Sequence, residues 1–284
     1  CAGEFEAETP YFYSTFGEVD EFSGLGEEAV VIVGSGPSRI GQGLEFDTCC
    51  TMASLSFRDR GRSSIMVNSN PETVSTDFNV SRRLYLEPVT YEEVEEVLEK
   101  EGTKRVVVQL GGQTALNMAK RLEEKGAEIL GTPLEAILGA EDRSLFTEIM
   151  GSLGLKQPAN RVARSVEEAI RAVEDIGFPV LLRPSFVLGG RSMAVVYTRD
   201  ELTAFLNRGI LVSPESPLLV DQFLEDAFEY DVDALCDAEN VYIAGVLQHI
   251  EAAGVHSGDS AAVFPPYKAD AEALQLIREA TATI

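Results

Sequence analysis

Three short apolar runs in the first half of the chain each end in a small polar turn. Ala29–Val33 runs into Gly34-Ser35-Gly36-Pro37, Ser64–Asn68 into Asn70-Pro71-Glu72-Thr73, and Arg105–Leu110 into Gly111-Gly112-Gln113-Thr114. Between them lie helix-like stretches: Gly43–Arg60, then Thr90–Glu101 with Tyr91, Val94 and Leu98 spaced i, i+3, i+7, then Thr114–Lys125 closed by Gly126. A fourth strand starts at Glu128–Leu130. Apolar strands alternating with helices predict a parallel sheet covered on both faces, with ligand sites outside the strands' carboxyl ends.

The pattern changes near Asp142. Arg143–Leu153 and Val166–Ile176 read as helices. Phe178–Leu182 and Met193–Tyr197 read as a strand pair whose connection carries Arg183 and Gly189-Gly190-Arg191. An arginine buried by such a hairpin is costly unless an anion meets it. Glu201–Arg208 reads as a helix, and Leu218–Phe223, Tyr230–Cys236 and Val241–Gln248 as strands, the last two joined by an Asp237–Asn240 turn. The fold class is therefore α/β: an irregular linker at 1–28, a Rossmann-like parallel-sheet domain at 29–140, and an α+β domain with antiparallel pairs at 141–284.

Composition narrows the function. A net charge of -24 argues against nucleic acid, whose phosphates are bound by neutralising Lys and Arg. Of 23 basic residues 17 are Arg, so anion-binding guanidiniums must be locally well placed against an acidic background. No apolar run approaches the roughly 18–20 residues that span a bilayer, so no membrane segment is expected. Cys1, Cys49, Cys50 and Cys236 lack metal-ligand spacing, which favours reduced, mostly buried thiols in a cytoplasmic protein. The opening Cys-Ala-Gly-Glu-Phe-Glu has no basic n-region and reads as the cut end of a longer chain.

Several stretches could carry chemistry. Gly34-Ser35-Gly36, after a strand and before a helix, suits a phosphate at a helix N-terminus. The third glycine of a dinucleotide fingerprint would, however, fall on Arg39, which leaves a glycine-bent loop at the sheet edge as the simpler reading. Asn70, Thr73 and Thr114 are either turn and helix caps or a polar wall facing a cleft. Glu229, Asp231 and Asp233 alternate along one strand, so the carboxylates share one face, solvated or part of a site. In Gly254-Val255-His256-Ser257-Gly258, glycines would let backbone N–H groups approach a phosphate or a base.

RPSFVLGGR, EYDVDALCD and AGVHSGDSA, in that order, resemble the ATP-grasp fold. Together with GSGPSRIGQGLEFD, NPETVSTD and QLGGQT they resemble the large subunit of carbamoyl phosphate synthetase, and within it the second, carbamate-phosphorylating half. The first domain would then be the pre-ATP-grasp domain and the second an ATP-grasp domain.

The resemblance implies a ligase that uses ATP to turn carbamate into carbamoyl phosphate. Arg143 and Arg183 would contact nucleotide phosphates, Gln222 and Leu224 would cradle adenine, and Glu229 would hold the ribose hydroxyls. Gly254, Val255, His256 and Ser257 would line the nucleotide, and Arg191 with the glycine pair would belong to a phosphate-covering loop. Two guanidiniums suit bidentate phosphate contacts. Implied partners are the other synthetase half and a glutamine amidotransferase small subunit. The family's Mg²⁺ or Mn²⁺ ligands, a Gln followed by Glu-x-Asn, have no match after Ser260 and are expected beyond Ile284. The chain is thus expected to be truncated inside the ATP-grasp domain and to turn over poorly alone. The alternatives are a nucleotide-binding module without catalysis, or a ligase of the same fold acting on bicarbonate or another carboxylate.

Overall fold

The computed structural model describes residues 2–3, 11–17, 23–37, 42–184, 193–207, 212–213, 216–255, 257 and 260–284. The side chains of Gln42, Arg143 and Ser144 also lie outside the described set. The chain divides into two compact units, Cys1–Phe146 and Thr147–Ile284.

The first unit opens with β1 (Ala2–Gly3) and β2 (Tyr11–Tyr13). It continues with β3 (Val30–Val33), α1 (Gln42–Asp59), β4 (Ser64–Asn68), β5 (Arg83–Leu86), α2 (Tyr91–Glu101) and β6 (Arg105–Val107). Then come α3 (Gly112–Leu116), α4 (Ala119–Glu124), β7 (Glu128–Ile129) and α5 (Leu134–Glu141). The sheet runs β1-β2-β5-β4-β3-β6-β7, antiparallel only between β1 and β2. From β3 onward this is the doubly wound order, with the switch point between β3 and β6.

Strand composition dictates the two-sided cover. All four residues of β3 and all five of β4 are buried, as a central parallel strand requires. Val31, Val33, Ile65 and Val67 face one core with Val94, Leu98 and Leu122, while Val30, Ile32 and Met66 face another with Cys50. Each such side chain contributes roughly 1.5–3 kcal/mol by leaving water. On α2, Thr90 accepts from the Glu93 N–H at one end, and Gly102 closes the other with a left-handed φ of 70°.

The structure corrects some details. The stretch expected to be irregular supplies β1 and β2, with β2 parallel to β5 and β1 antiparallel to β2 at the sheet edge. Glu101, fully buried, fastens the segment that follows: its carboxylate accepts from Leu25 N–H at 2.9 Å, Arg83 Nη1 at 2.8 Å and Tyr85 Oη at 2.6 Å. The Arg83 Nη2 donates to the Ser23 carbonyl at 2.7 Å. The helix expected at 114–125 is two pieces, and Thr114 lies inside the first rather than capping it. Cys50 is buried, but Cys49 and Cys236 are exposed, Cys49 on the solvent side of α1 and Cys236 at the end of a strand. Burial pushes the Cys50 thiol up to about 12.

The second unit is α+β. The helix α6 (Arg143–Ser152), within which the unit boundary falls, is followed by β8 (Asn160–Ala163), α7 (Val166–Ile176), β9 (Val180–Pro184) and β10 (Ala194–Val196). Next are α8 (Arg199–Leu206), β11 (Leu218–Gln222), β12 (Tyr230–Cys236), β13 (Val241–His249), β14 (Ala262–Val263) and α9 (Ala271–Thr283). One antiparallel sheet runs β10-β9-β11-β8, and a second runs β12-β13-β14. The first packs Val180, Leu182, Leu218 and Val220 against Ala169, Val173, Leu202 and Phe205 of α7 and α8. Ser165 and Thr198 cap those helices by accepting from the Glu168 and Glu201 N–H groups. The fold class read from the sequence is thus observed, a parallel sheet followed by antiparallel ones. β5, β8, β14, α5 and α9 were not anticipated.

Candidate functional site

The β9–β11 pair sets Arg183. Antiparallel register puts Arg183 opposite Leu219 and Leu181 opposite Asp221, so Arg183 and Asp221 are diagonal neighbours on one face. The guanidinium takes that geometry: Nε and Nη2 both donate to Asp221 Oδ2, at 2.9 and 2.5 Å. Asp221 was not singled out in the sequence. Its signal was there, an acidic residue in phase with Leu219 rather than with the buried Leu218 and Val220.

Gln222 ends β11 opposite Val180. Its Oε1 accepts from Ala159 N–H at 3.3 Å. The following Phe223 donates its N–H to the Pro179 carbonyl at 3.0 Å, and Leu224 is exposed. Arg183 lies three residues from Val180 along β9, about 10 Å at the usual rise per residue.

Glu229 directly precedes β12 and is half-buried. Its Oε2 accepts from Gly254 N–H at 3.3 Å. A Cβ at Gly254 would stand 3.2 Å from the Phe223 ring at a φ of +100°, so this loop also abuts the Gln222–Leu224 turn. Gln222, Leu224, Glu229 and Gly254 therefore converge, with Val255 and Ser257 exposed on the same loop. His256 lies outside the described residues, as do Gly189, Gly190 and Arg191. Arg143 opens α6, but its side chain is not among those described.

The other histidine is the one the structure brings forward. His249 is buried at the end of β13, with Nε2 2.8 Å from Asp231 Oδ2 and Nδ1 3.9 Å from Glu229 Oε2. The Asp231 hydrogen bond raises its pKa above the usual imidazole range; burial opposes this, and the charges of Asp231, Glu229 and Glu251 reinforce it. The ring thus lies between two carboxylates and hydrogen-bonds to that of Asp231. The three alternating carboxylates thus part company: Glu229 and Asp231 gather at His249, while Asp233 is exposed beside a bulge at Asp233/Ala234. His249 and Asp231 were not paired from sequence because 18 residues separate them.

In the first unit the three polar loops do share the carboxyl edge of the parallel sheet. Among the described residues the loops after β3 and β6 meet closely at the switch point: a Cβ on Gly111 would fall 2.4 Å from the Val33 carbonyl oxygen and 2.6 Å from that of Gly34. The loops after β3 and β6 therefore touch where a dinucleotide would need space, which favours the glycine-bent loop.

Two family models cover these units: the carbamoyl phosphate synthase preATP-grasp domain matches residues 26–139, and the carbamoyl-phosphate synthase L chain ATP binding domain matches 142–284. The chain belongs to the carbamoyl-phosphate synthase large-chain family. It is 53% identical over 281 residues to the carbamoyl phosphate synthase large chain of Archaeoglobus fulgidus, covering 99% of this chain and 26% of that one. Against the large chain of Haemophilus ducreyi it is 50% identical over 284 residues, covering 100% of this chain and 26% of that one. The chain therefore spans about a quarter of the length of these relatives. Among solved structures, the fold is similar to N5-carboxyaminoimidazole ribonucleotide synthetase from Thermus thermophilus, with a TM-score of 0.67 and 18% identity over 89% of this chain and 62% of that one. It is likewise similar to the biotin carboxylase domain of 2-oxoglutarate carboxylase from Hydrogenobacter thermophilus, a structure with MgADP and bicarbonate, with a TM-score of 0.66 and 18% identity over 90% of this chain and 57% of that one.

Proposed function

We propose that this chain is the nucleotide-binding part of a synthetase half that phosphorylates carbamate with ATP. The observation that carries the reading is the convergence of Glu229, Gly254 and the Gln222–Leu224 turn, with Arg183 presented about 10 Å along the adjoining strand. Adenine lies against the turn, the ribose hydroxyls meet Glu229, and Gly254, Val255, His256 and Ser257 line the nucleotide. The phosphates reach Arg183, and Arg143 adds a second guanidinium. A carbamate oxygen attacks the γ-phosphorus, and the bond to the β,γ-bridging oxygen breaks to release ADP. Little covalent chemistry falls to the protein; it positions the groups and neutralises their charge.

Mg²⁺ or Mn²⁺ belongs to this proposal as the cation that screens the triphosphate. Among the described residues no group of three His, Cys, Asp or Glu side chains converges to hold a metal. The described residues thus offer no ready-made three-ligand protein site for that cation. A second reading of the isolated chain is a nucleotide-binding module without turnover. In the whole protein we place the reaction in the cytoplasm, with the other synthetase half and a glutamine amidotransferase small subunit as partners. No helix among the described residues is long and apolar enough to cross a membrane.

The test is calorimetric titration of the chain with a non-hydrolysable ATP analogue, run beside Mg²⁺-dependent ADP formation from ATP and carbamate. Binding with turnover supports the synthetase reading, and binding alone supports the module. Failure to bind sinks both.

A further inference from the structure

We propose that Asp47, a buried residue of α1, is a positioning residue that holds the Ser69–Asp77 loop in its working arrangement; this rests on the carbamate-phosphorylating reading above. Asp47 is 3% exposed. Among the described residues its carboxylate meets only neutral donors. Oδ2 accepts from the Thr73 hydroxyl and from Ser75 N–H at 3.0 Å, and Oδ1 from the Ser75 hydroxyl at 2.5 Å and Asn68 Nδ2 at 3.4 Å. Asn68, itself fully buried, relays the hold: Nδ2 also donates to Ser75 Oγ at 3.1 Å, while Oδ1 accepts from Gly36 N–H at 3.1 Å and Ser69 N–H at 2.9 Å. Thr73, expected as a cap, gives its hydroxyl to this carboxylate instead, and Asn70 makes a local turn to Glu72 N–H at 3.0 Å.

One carboxylate and one amide therefore join α1, the ends of β3 and β4, and the loop. Stability alone does not explain the choice. Burying a carboxylate is expensive, and an apolar side chain of similar size would generally serve a core better. A fully satisfied polar network instead specifies one arrangement out of many. The backbone is committed to it as well, since a Cβ on Gly34 would fall 2.6 Å from Asn68 Cγ. The loop so held lies at the carboxyl edge of the parallel sheet, where α/β folds place ligands, and presents Asn70, Pro71 and Glu72 to solvent.

The assigned step can be run backwards in the full-length protein, with ADP and carbamoyl phosphate giving ATP. Asp47→Asn, which puts an amide N–H₂ among donors, is expected to slow that reaction about tenfold or more, leave ADP affinity within about twofold, and raise amide exchange at Ser75 about tenfold or more. Thr73→Val removes one donor and should slow the reaction a few-fold, with Thr73→Ser restoring it; this pair decides the matter if Asp47→Asn does not fold. Faster exchange with an unchanged reverse rate overturns the proposal. So does a slower rate with unchanged exchange, or a parallel loss of ADP affinity. A wild-type protein that makes no ATP from carbamoyl phosphate overturns the assigned reaction instead, and raised exchange in Asp47→Asn would then show that the loop is still fastened as described.

Discussion

Replacing Arg183 with alanine separates two effects that the structure ties together. The guanidinium sends two N–H groups to one oxygen of Asp221, and the side chains are 31% and 13% exposed. On the proposed reading its removal takes away a charged hydrogen bond to the nucleotide phosphates, about 1.5–3 kcal/mol. At about 1.4 kcal/mol per decade this raises the Kd for an ATP analogue roughly 10- to 150-fold. It also takes two hydrogen bonds and a facing charge away from Asp221, which costs about 1–3 kcal/mol of folding stability. Adding Asp221→Asn should return part of that stability, by removing the carboxylate charge that Arg183 had faced, without returning the affinity. The assay is calorimetric titration with a non-hydrolysable ATP analogue and with adenosine, beside denaturant unfolding of each variant. Adenosine lacks the phosphates and should bind wild type and variant alike. An ATP-analogue Kd within twofold of wild type, or an equal loss with adenosine, would refute the phosphate role.

Glu229→Gln should weaken ATP binding by about 1 kcal/mol, and the loss should shrink with 2′-deoxy-ATP, measured by the same titration; an equal loss with both would remove Glu229 from the ribose. His249 has a raised folded-state pKa, so its contribution to stability is fully present below its unfolded value of about 6.5 and fades as pH rises through the folded one. Denaturant unfolding of wild type and His249→Gln should show the widest gap near pH 6 and a narrower one in alkaline solution; a gap independent of pH would refute the charge pairing with Asp231. Arg83→Met leaves the Glu101 carboxylate without its cation and should destabilise the chain by about 3–5 kcal/mol in urea unfolding. A loss below about 1 kcal/mol would mean that the Glu101 cluster contributes little.

Much of the fold was legible because strand and helix periods are written in apolar residues. Val30–Val33 and Ser64–Asn68 have no polar side to hide, and Tyr91, Val94 and Leu98 fall on the buried stripe of α2. β5 escaped notice because Arg83-Leu84-Tyr85-Leu86 is four residues long and opens with a charge whose partner, Glu101, is 18 residues away. The terminal helix α9 has no fully buried residue; its inner face, Ala273, Leu274, Ile277, Ala280 and Thr281, is only half-buried. Within the candidate site, residues on short local motifs were readable, Arg183, Glu229 and Gly254 among them. Pairs that depend on register were not: Asp221 needs the β9–β11 alignment, and His249 needs β12 and β13 paired as far as Gln248. Asp47 meets Thr73 and Ser75 only because a whole helix–strand crossover folds back on itself.

The Glu101 cluster bears on how the N-terminal lobe could be isolated. Trimming the chain back to Ala29, where the strand alternation starts, would delete the Leu25 N–H and the Ser23 carbonyl and leave the Glu101 and Arg83 side chains short of those partners. It would also strip β2 from the rim of β5 and remove Phe12, whose ring stands 5.3 Å from that of Tyr85. The shortest workable version of that lobe accordingly starts no later than Tyr11, some way upstream of the first strand a reader of the sequence would choose.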